Sequence, residues 1–210
     1  MKLVLHSAKR ASAPYRVRIG LNLKGLAFEL RPVDLVTNAH QSETYRGLNA
    51  QALVPTLEVD GRPLTQSLAI LEWLDETFPE PRLLPTDPFD RATVRAMAEI
   101  IACDIHPLNN LRVLRALTAL EIDEAQRNAW VARWISDGFS ALEPMVARRG
   151  GAFAFGDEPG LVDCLLVPQV FNAGRFNVDL LPFPAIQAAA ARAASHPAIA
   201  AAHPDHHPER

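Results

Sequence analysis

Two short polar stretches stand in front of apolar segments: Arg10-Ala11-Ser12-Ala13 before the run from Pro14 to Lys24, and Gln66-Ser67 before Leu68–Phe78. If the runs are helices, each stretch lies at a helix N-terminus. Such an end offers backbone N–H groups with no intrahelical acceptor and the positive pole of the helix dipole. The chemistry this suits is anion binding. Arg10 would add charge at the first site, and the Ser67 hydroxyl would add a donor suited to a carboxylate at the second. Ser12 and Ser67 also read as plain N-caps, and that reading stands beside the first. Arg175 follows an apolar helix and reads as a side chain reaching for water. The tail "HPDHHPER" holds His203, His206 and His207. Nothing there fixes a metal-binding geometry, so it reads as a solvated, disordered end with no metal.

The elements that must position these residues follow from periodicity. "KLVLH" is a short buried strand, residues 14–24 a helix with Gly25 just past its end, and "AFELRPVDL" (27–35) a strand. "HQSETYRGLN" forms one or two helical turns. Asp60-Gly61 between two apolar runs signals a hairpin, and "SLAILEWLDETF" a helix over 67–78. The order β-α-β-α-β-β-α makes a small α/β domain over residues 1–80. "PEPRLLPTDPFD" supplies a proline-rich linker at 81–89. From residue 90 to 210 strand signals stop. The chain there is helical on both sides of Pro107, with a long amphipathic helix in "EAQRN…VAR" and a buried one in "LVDCLLVPQVFNAGRF".

Composition narrows the function. Half of the chain is hydrophobic and its net charge is only −3, with no basic cluster, which argues against nucleic acid as a partner. No apolar run reaches the length of a membrane span, and the start Met-Lys-Leu-Val-Leu-His has no signal-peptide core. Cys103 and Cys164 sit in apolar helical contexts and read as buried free thiols, which favours a reducing, cytoplasmic setting.

"RVRIGLNLKG", "LVPTLEVDG", "QSLAILEWLDETFPEPRLLPTDP", "CDIHPLNNLRVL" and "VPQVFNAGRFNVDLLPFP", in this order, resemble the zeta class of the glutathione transferases. That class holds the maleylacetoacetate isomerases and the bacterial maleylpyruvate isomerases. "CDIHP", Leu53 and Arg112 lean towards the latter. The resemblance implies a thioredoxin-like N-terminal domain, an all-helical C-terminal domain, a homodimer with its two-fold contact around Pro107, and glutathione as cofactor. It implies a cis bond before Pro55, with Val54 presenting its backbone to the cysteinyl part of glutathione. It places Gln66 and Ser67 on the γ-glutamyl carboxylate and His40 near the glycyl end, where simple exposure in a loop is the alternative. His106 and Asn110 match further glutathione contacts. Arg10, Arg112 and Arg175 would converge on a dicarboxylate substrate.

One departure bears on catalysis. The class usually reads Arg-Ser-Ser-Cys before its first helix, and the first serine supports the glutathione thiolate. Here that position is Ala11, followed by Ser12 and Ala13. Ser12 and Arg10 are left as the local catalytic candidates. The implied reaction is cis–trans isomerisation of a maleyl dianion in aromatic catabolism. The alternatives are a transferase acting on haloacids or other electrophiles, or a non-catalytic glutathione-binding module.

Overall fold

The computed structural model describes residues 1–149 and 151–207, in two compact units. The first unit is Met1–Leu84 joined by the chain from Ser195 onward, and the second is Pro85–Ala194.

The first unit is built on a four-stranded sheet of order β2-β1-β3-β4. Strand β1 (Leu3–Ser7) is buried along its whole length, as a central strand of mostly apolar residues must be. Helix α1 (Ser12–Leu23) carries the chain across to β2 (Glu29–Pro32), which pairs parallel to β1. A 3₁₀ turn (Ala39–Gln41) and α2 (Glu43–Leu48) lead to β3 (Thr56–Val59), antiparallel to β1. The hairpin to β4 (Arg62–Thr65) turns on Asp60 and Gly61, both at positive φ (49° and 80°), which an Asp-Gly pair tolerates. Helix α3 (Ser67–Thr77) closes the β-β-α half. This is the thioredoxin-like arrangement expected. Helices α1 and α3 pack closely at Gly20, where a Cβ would stand 2.2 Å from Leu71 Cδ2.

The second unit is helical: α4 (Pro88–Glu99), α5 (Leu111–Ala119), α6 (Glu124–Arg149), α7 (Leu161–Arg175) and α8 (Pro184–Ser195), whose last residue crosses the unit boundary. Around Pro107 the helix breaks as expected, through a π turn (Ile100–Ile105) and a 3₁₀ turn (His106–Asn109). Val131, Ile135, Phe139 and Leu142 of α6 are fully buried, as is most of α7 from Leu161 to Gln169. Asp163, inside that apolar helix, accepts from Ala154 N (3.0 Å) and Gly160 N (2.9 Å). Burial pushes its carboxyl up to about 6. From pH 3.8 to 6 the unfolded chain therefore ionises at this position while the native chain does not. Stability is full below pH 4 and falls as pH rises through 6, by roughly 3 kcal/mol. In Asp163→Asn this contribution vanishes. The difference in unfolding free energy between wild type and variant, followed by denaturant from pH 4 to 7, is expected to shrink or reverse by about that amount.

Several expectations need correction. The boundary between the units, after Leu84, falls inside the proline-rich stretch 81–89, but residues 195–207 belong with the sheet rather than with the helices of 90–194. The reason is α1: Arg18 Nε donates to Ala202 O (3.0 Å) and Asn22 Nδ2 to Ala198 O (3.0 Å), so α9 (Pro197–Ala200) and the turn after it pack on that helix. The described tail is accordingly not a solvated end. Pro204 is buried, and His203 lies edge-on to the Tyr15 ring at 6.2 Å. Cys164 is buried, but Cys103 is exposed, because the π turn rotates it away from the core. The strand read over 27–35 is only Glu29–Pro32, where β1 gives it a ladder.

Candidate functional site

Helix α1 starts at Ser12, two residues before the expected start, and this changes the role of its first residues. The N-cap is Ala11, in extended conformation (φ −76°, ψ 130°) and with no side-chain cap. Ser12 is the first helical residue, so it is not the cap that one reading made it. Pro14 has no N–H and the Tyr15 N–H is already given to Ala11 O (3.2 Å). The donors this helix end can offer are the N–H groups of Ser12 and Ala13. Arg10, exposed, stands immediately before them.

Helix α3 begins the same way. Its cap is Gln66, held at φ 68°, ψ 117°, a conformation rare for a side-chain-bearing residue, and Ser67 is the first helical residue. Gln66 Nε2 donates to Gln51 Oε1 (2.8 Å). Ser67 is buried and its Oγ accepts from Arg16 Nη1 (3.3 Å) on α1, a guanidinium only 2% exposed. No side chain caps either helix. Among the described residues most of the other long helices differ. Asp87 caps α4, Asn110 caps α5, Asp123 accepts from Gln126 N at the start of α6, and Glu143 accepts from Ala185 N and Ile186 N of α8. Helix α7 of the second unit also starts without a side-chain cap, its Asp163 taking the Gly160 N–H ahead of the helix; the two bare ends of the first unit are the two singled out by their sequence.

The Val54–Pro55 bond is cis. The backbone before it is pinned at the Leu53 carbonyl, which accepts from Tyr45 Oη (2.8 Å) and Asn49 Nδ2 (2.7 Å). Burial holds the Tyr45 phenol above its ordinary value, so it stays a donor at neutral pH. Ladder pairing of β3 begins only at Thr56, leaving Val54 outside the sheet. His40, in the 3₁₀ turn, is buried, which removes the alternative of simple exposure.

Arg10, Ser12, His40, Val54, Pro55, Gln66 and Ser67 thus belong to the first unit, and His106, Asn110, Arg112 and Arg175 to the second. In the second unit Asn110 Oδ1 accepts from Arg112 N (3.1 Å), so this side chain is a helix cap as well as a candidate contact. Arg112 is exposed in the first turn of α5, and Arg175 is exposed as the last residue of α7. The sequence reading missed Arg16, Tyr45 and Asn49. Arg16 had a visible signal: it lies about 200° around the helix from Arg18, so the two arginines cannot share one solvated face.

The first unit carries a family match: the N-terminal domain of glutathione S-transferases over residues 12–77. Along the whole chain, a maleylpyruvate isomerase from Ralstonia sp is 48% identical over 187 residues, 88% of each chain. A holo structure of a maleyl pyruvate isomerase, a bacterial glutathione S-transferase of the zeta class, matches with TM-score 0.96 and 45% identity over 98% of this chain and 99% of that one. A maleylacetoacetate isomerase from Anaeromyxobacter dehalogenans 2CP-1, with glutathione in its active site, matches with TM-score 0.90 and 43% identity over 99% and 97%. On identity of this degree across nearly its full length, the chain belongs to the zeta-class glutathione S-transferases.

Proposed function

We propose that this protein is a glutathione-dependent cis–trans isomerase of a maleyl dianion, maleylpyruvate or maleylacetoacetate. The observation that carries the reading is the pair of uncapped helix ends in the first unit, one beside Arg10 and Ser12, the other beside Ser67 and Arg16. Glutathione has anions to match them, a thiolate and a γ-glutamyl carboxylate. The chemistry it supplies when bound is a thiol that adds to the substrate's double bond and leaves after rotation about the single bond.

The chain's own residues do the rest. The Ser12 and Ala13 N–H groups and the α1 dipole favour the thiolate over a thiol whose ordinary pKa is near 8.5. Arg10 adds charge and Ser12 a hydroxyl. Ser67 and the α3 end take the γ-glutamyl carboxylate. The Val54 backbone, held in place through Leu53, takes the cysteinyl part, and Gln66, Pro55, His40, His106 and Asn110 complete the binding set. Arg112 and Arg175, with Arg10, hold the substrate carboxylates and stabilise negative charge that develops next to them. The protein acts as a homodimer, and exposed apolar side chains of the second unit, Phe89 (71%) and Leu120 (72%), support an apolar contact there. Light scattering at several concentrations tests this; a monomer throughout refutes it. No helix among the described residues is long and apolar enough to cross a membrane.

The reading is tested by following loss of either cis substrate with purified protein and glutathione. Turnover above the glutathione-only control is expected. Glutathione binding without turnover would favour a non-catalytic module, the reading that Ala11 supports. Two substitutions separate the roles at α1. Because Ser12 is not the cap, Ser12→Ala is expected to raise the thiol pKa of bound glutathione, read by thiolate absorbance, without the ~1 kcal/mol loss of a missing cap. Ala11→Ser restores a hydroxyl at the cap and is expected to lower that pKa and quicken isomerisation. If it changes neither, backbone and arginines alone set the thiolate.

A further inference from the structure

Arg16 is buried on α1 and bonded to the first residue of α3. A guanidinium can only donate hydrogen bonds and does not deprotonate at neutral pH. In the Arg16–Ser67 contact the serine oxygen must therefore accept. A hydroxyl has a single proton, and that proton is turned away from Arg16. Within a helix a serine hydroxyl commonly gives its proton to the carbonyl three or four residues back. For Ser67 those residues are Pro63 and Leu64, which lie in β4 and not in a preceding helical turn. The proton is left to the ligand side of the helix end.

We infer that Arg16 is a positioning and specificity residue that makes Ser67 an obligate donor and so decides which charged group of the ligand faces it. The inference rests on the reading of Ser67 as the γ-glutamyl site. The α-carbon of that γ-glutamyl group carries both a carboxylate and an ammonium. An ammonium opposite Ser67 would need an acceptor, would meet a donor, and would lie near a buried cation. A carboxylate meets a donor, the bare α3 N-terminus and the field of Arg16. The orientation of glutathione is thereby fixed at the end remote from its sulfur. The close approach of α1 and α3 at Gly20 is what allows a side chain of one helix to set the hydroxyl of the other.

Two glutathione analogues test this by calorimetry: glutaryl-cysteinyl-glycine, which keeps the carboxylate, and 4-aminobutanoyl-cysteinyl-glycine, which keeps only the amine. Wild-type protein is expected to prefer the carboxylate analogue by at least tenfold. Equal affinities overturn the inference, with no variant needed. Arg16→Met is expected to weaken glutathione and the carboxylate analogue about tenfold and to leave the amine analogue unchanged. A uniform loss across all three ligands means that Arg16 only supports the fold. Should Arg16→Met not fold, Arg16→Gln, able to accept as well as donate, must narrow the preference, and Arg16→Lys, still a donor-only cation, must keep it. Ser67→Ala separates the two levels. If it leaves glutathione affinity unchanged, the site reading itself fails. If it weakens glutathione ten- to a hundredfold while the wild type shows no analogue preference, only the role of Arg16 fails.

Discussion

Replacing Lys24 with methionine is expected to cost the first unit about 3–5 kcal/mol, the usual penalty for breaking a buried ion pair from one side. Lys24 ends α1 with its ammonium wholly buried. Its three N–H bonds are all used: to Asp75 Oδ1 (2.8 Å) on α3, to Phe78 O (2.7 Å) and to Pro81 O (2.5 Å). Asp75 Oδ1 also accepts from Leu83 N (2.6 Å). Without the ammonium a buried carboxylate and two carbonyls lose their partner together. The chain from Phe78 to Leu83 is then held by the Leu83 bond and by apolar contact. Denaturant unfolding measures the loss, and a value under about 1 kcal/mol would show the cluster to be redundant. Lys24→Arg is not expected to rescue, because a planar fork cannot serve three diverging acceptors. Removing the stranded charge as well, in Lys24→Met with Asp75→Leu, is expected to recover part of the stability.

The second large effect is expected from Arg18→Met. Arg18 is fully buried and donates to Ala202 O (3.0 Å), Ser7 Oγ (3.0 Å) and Lys9 O (3.1 Å), with its guanidinium 5.0 Å above the Tyr15 ring. Burial draws its pKa down to about 10, which leaves it charged at neutral pH. Methionine would fill much of the volume and relieve the buried charge. Two carbonyls would be orphaned at ~1–3 kcal/mol each, so the net loss is about 2–4 kcal/mol. The effect has an address: proteolytic cleavage within 195–207 should accelerate, and the Lys9 backbone just ahead of Arg10 should exchange its amides faster. Global destabilisation without either local change would contradict this account. Acid acts on the same region. Burial, then the charge of Arg18, holds His207 down at about 4. The unfolded chain takes up that proton from pH 6.5 and the native chain does not, so this contribution to stability is lost as pH falls from 6.5 to 4.

The parts of the fold legible in the sequence were those governed by local rules. Asp60-Gly61 marked the hairpin because few pairs accept two positive φ angles, and Pro107 marked the break because it lacks an N–H. The bare helix ends were legible as positions but not as bare: the one-residue difference between cap and first turn at Ser12 and Ser67 lies below what periodicity resolves. Long-range contacts left no local trace. Arg18 bonds a residue 184 positions away, and nothing in "HPDHHPER" announces that its start packs on α1. Cys103 faces solvent because it lies within the π turn, whose wider register turns its residues off the face that the apolar pattern, which assumes regular helix, gives them.

That return of the chain to α1 has a consequence for how the protein is made. The 110 residues Pro85–Ala194 are synthesised between Leu84 and the segment that completes the first unit. At roughly 5–20 residues per second this is an interval of about 5–20 s, during which the carbonyl of Ala202 does not yet exist for Arg18. A domain that looks N-terminal on paper is therefore closed late. The nascent chain holds a buried-to-be arginine in waiting, and the helical unit has the opportunity to fold first.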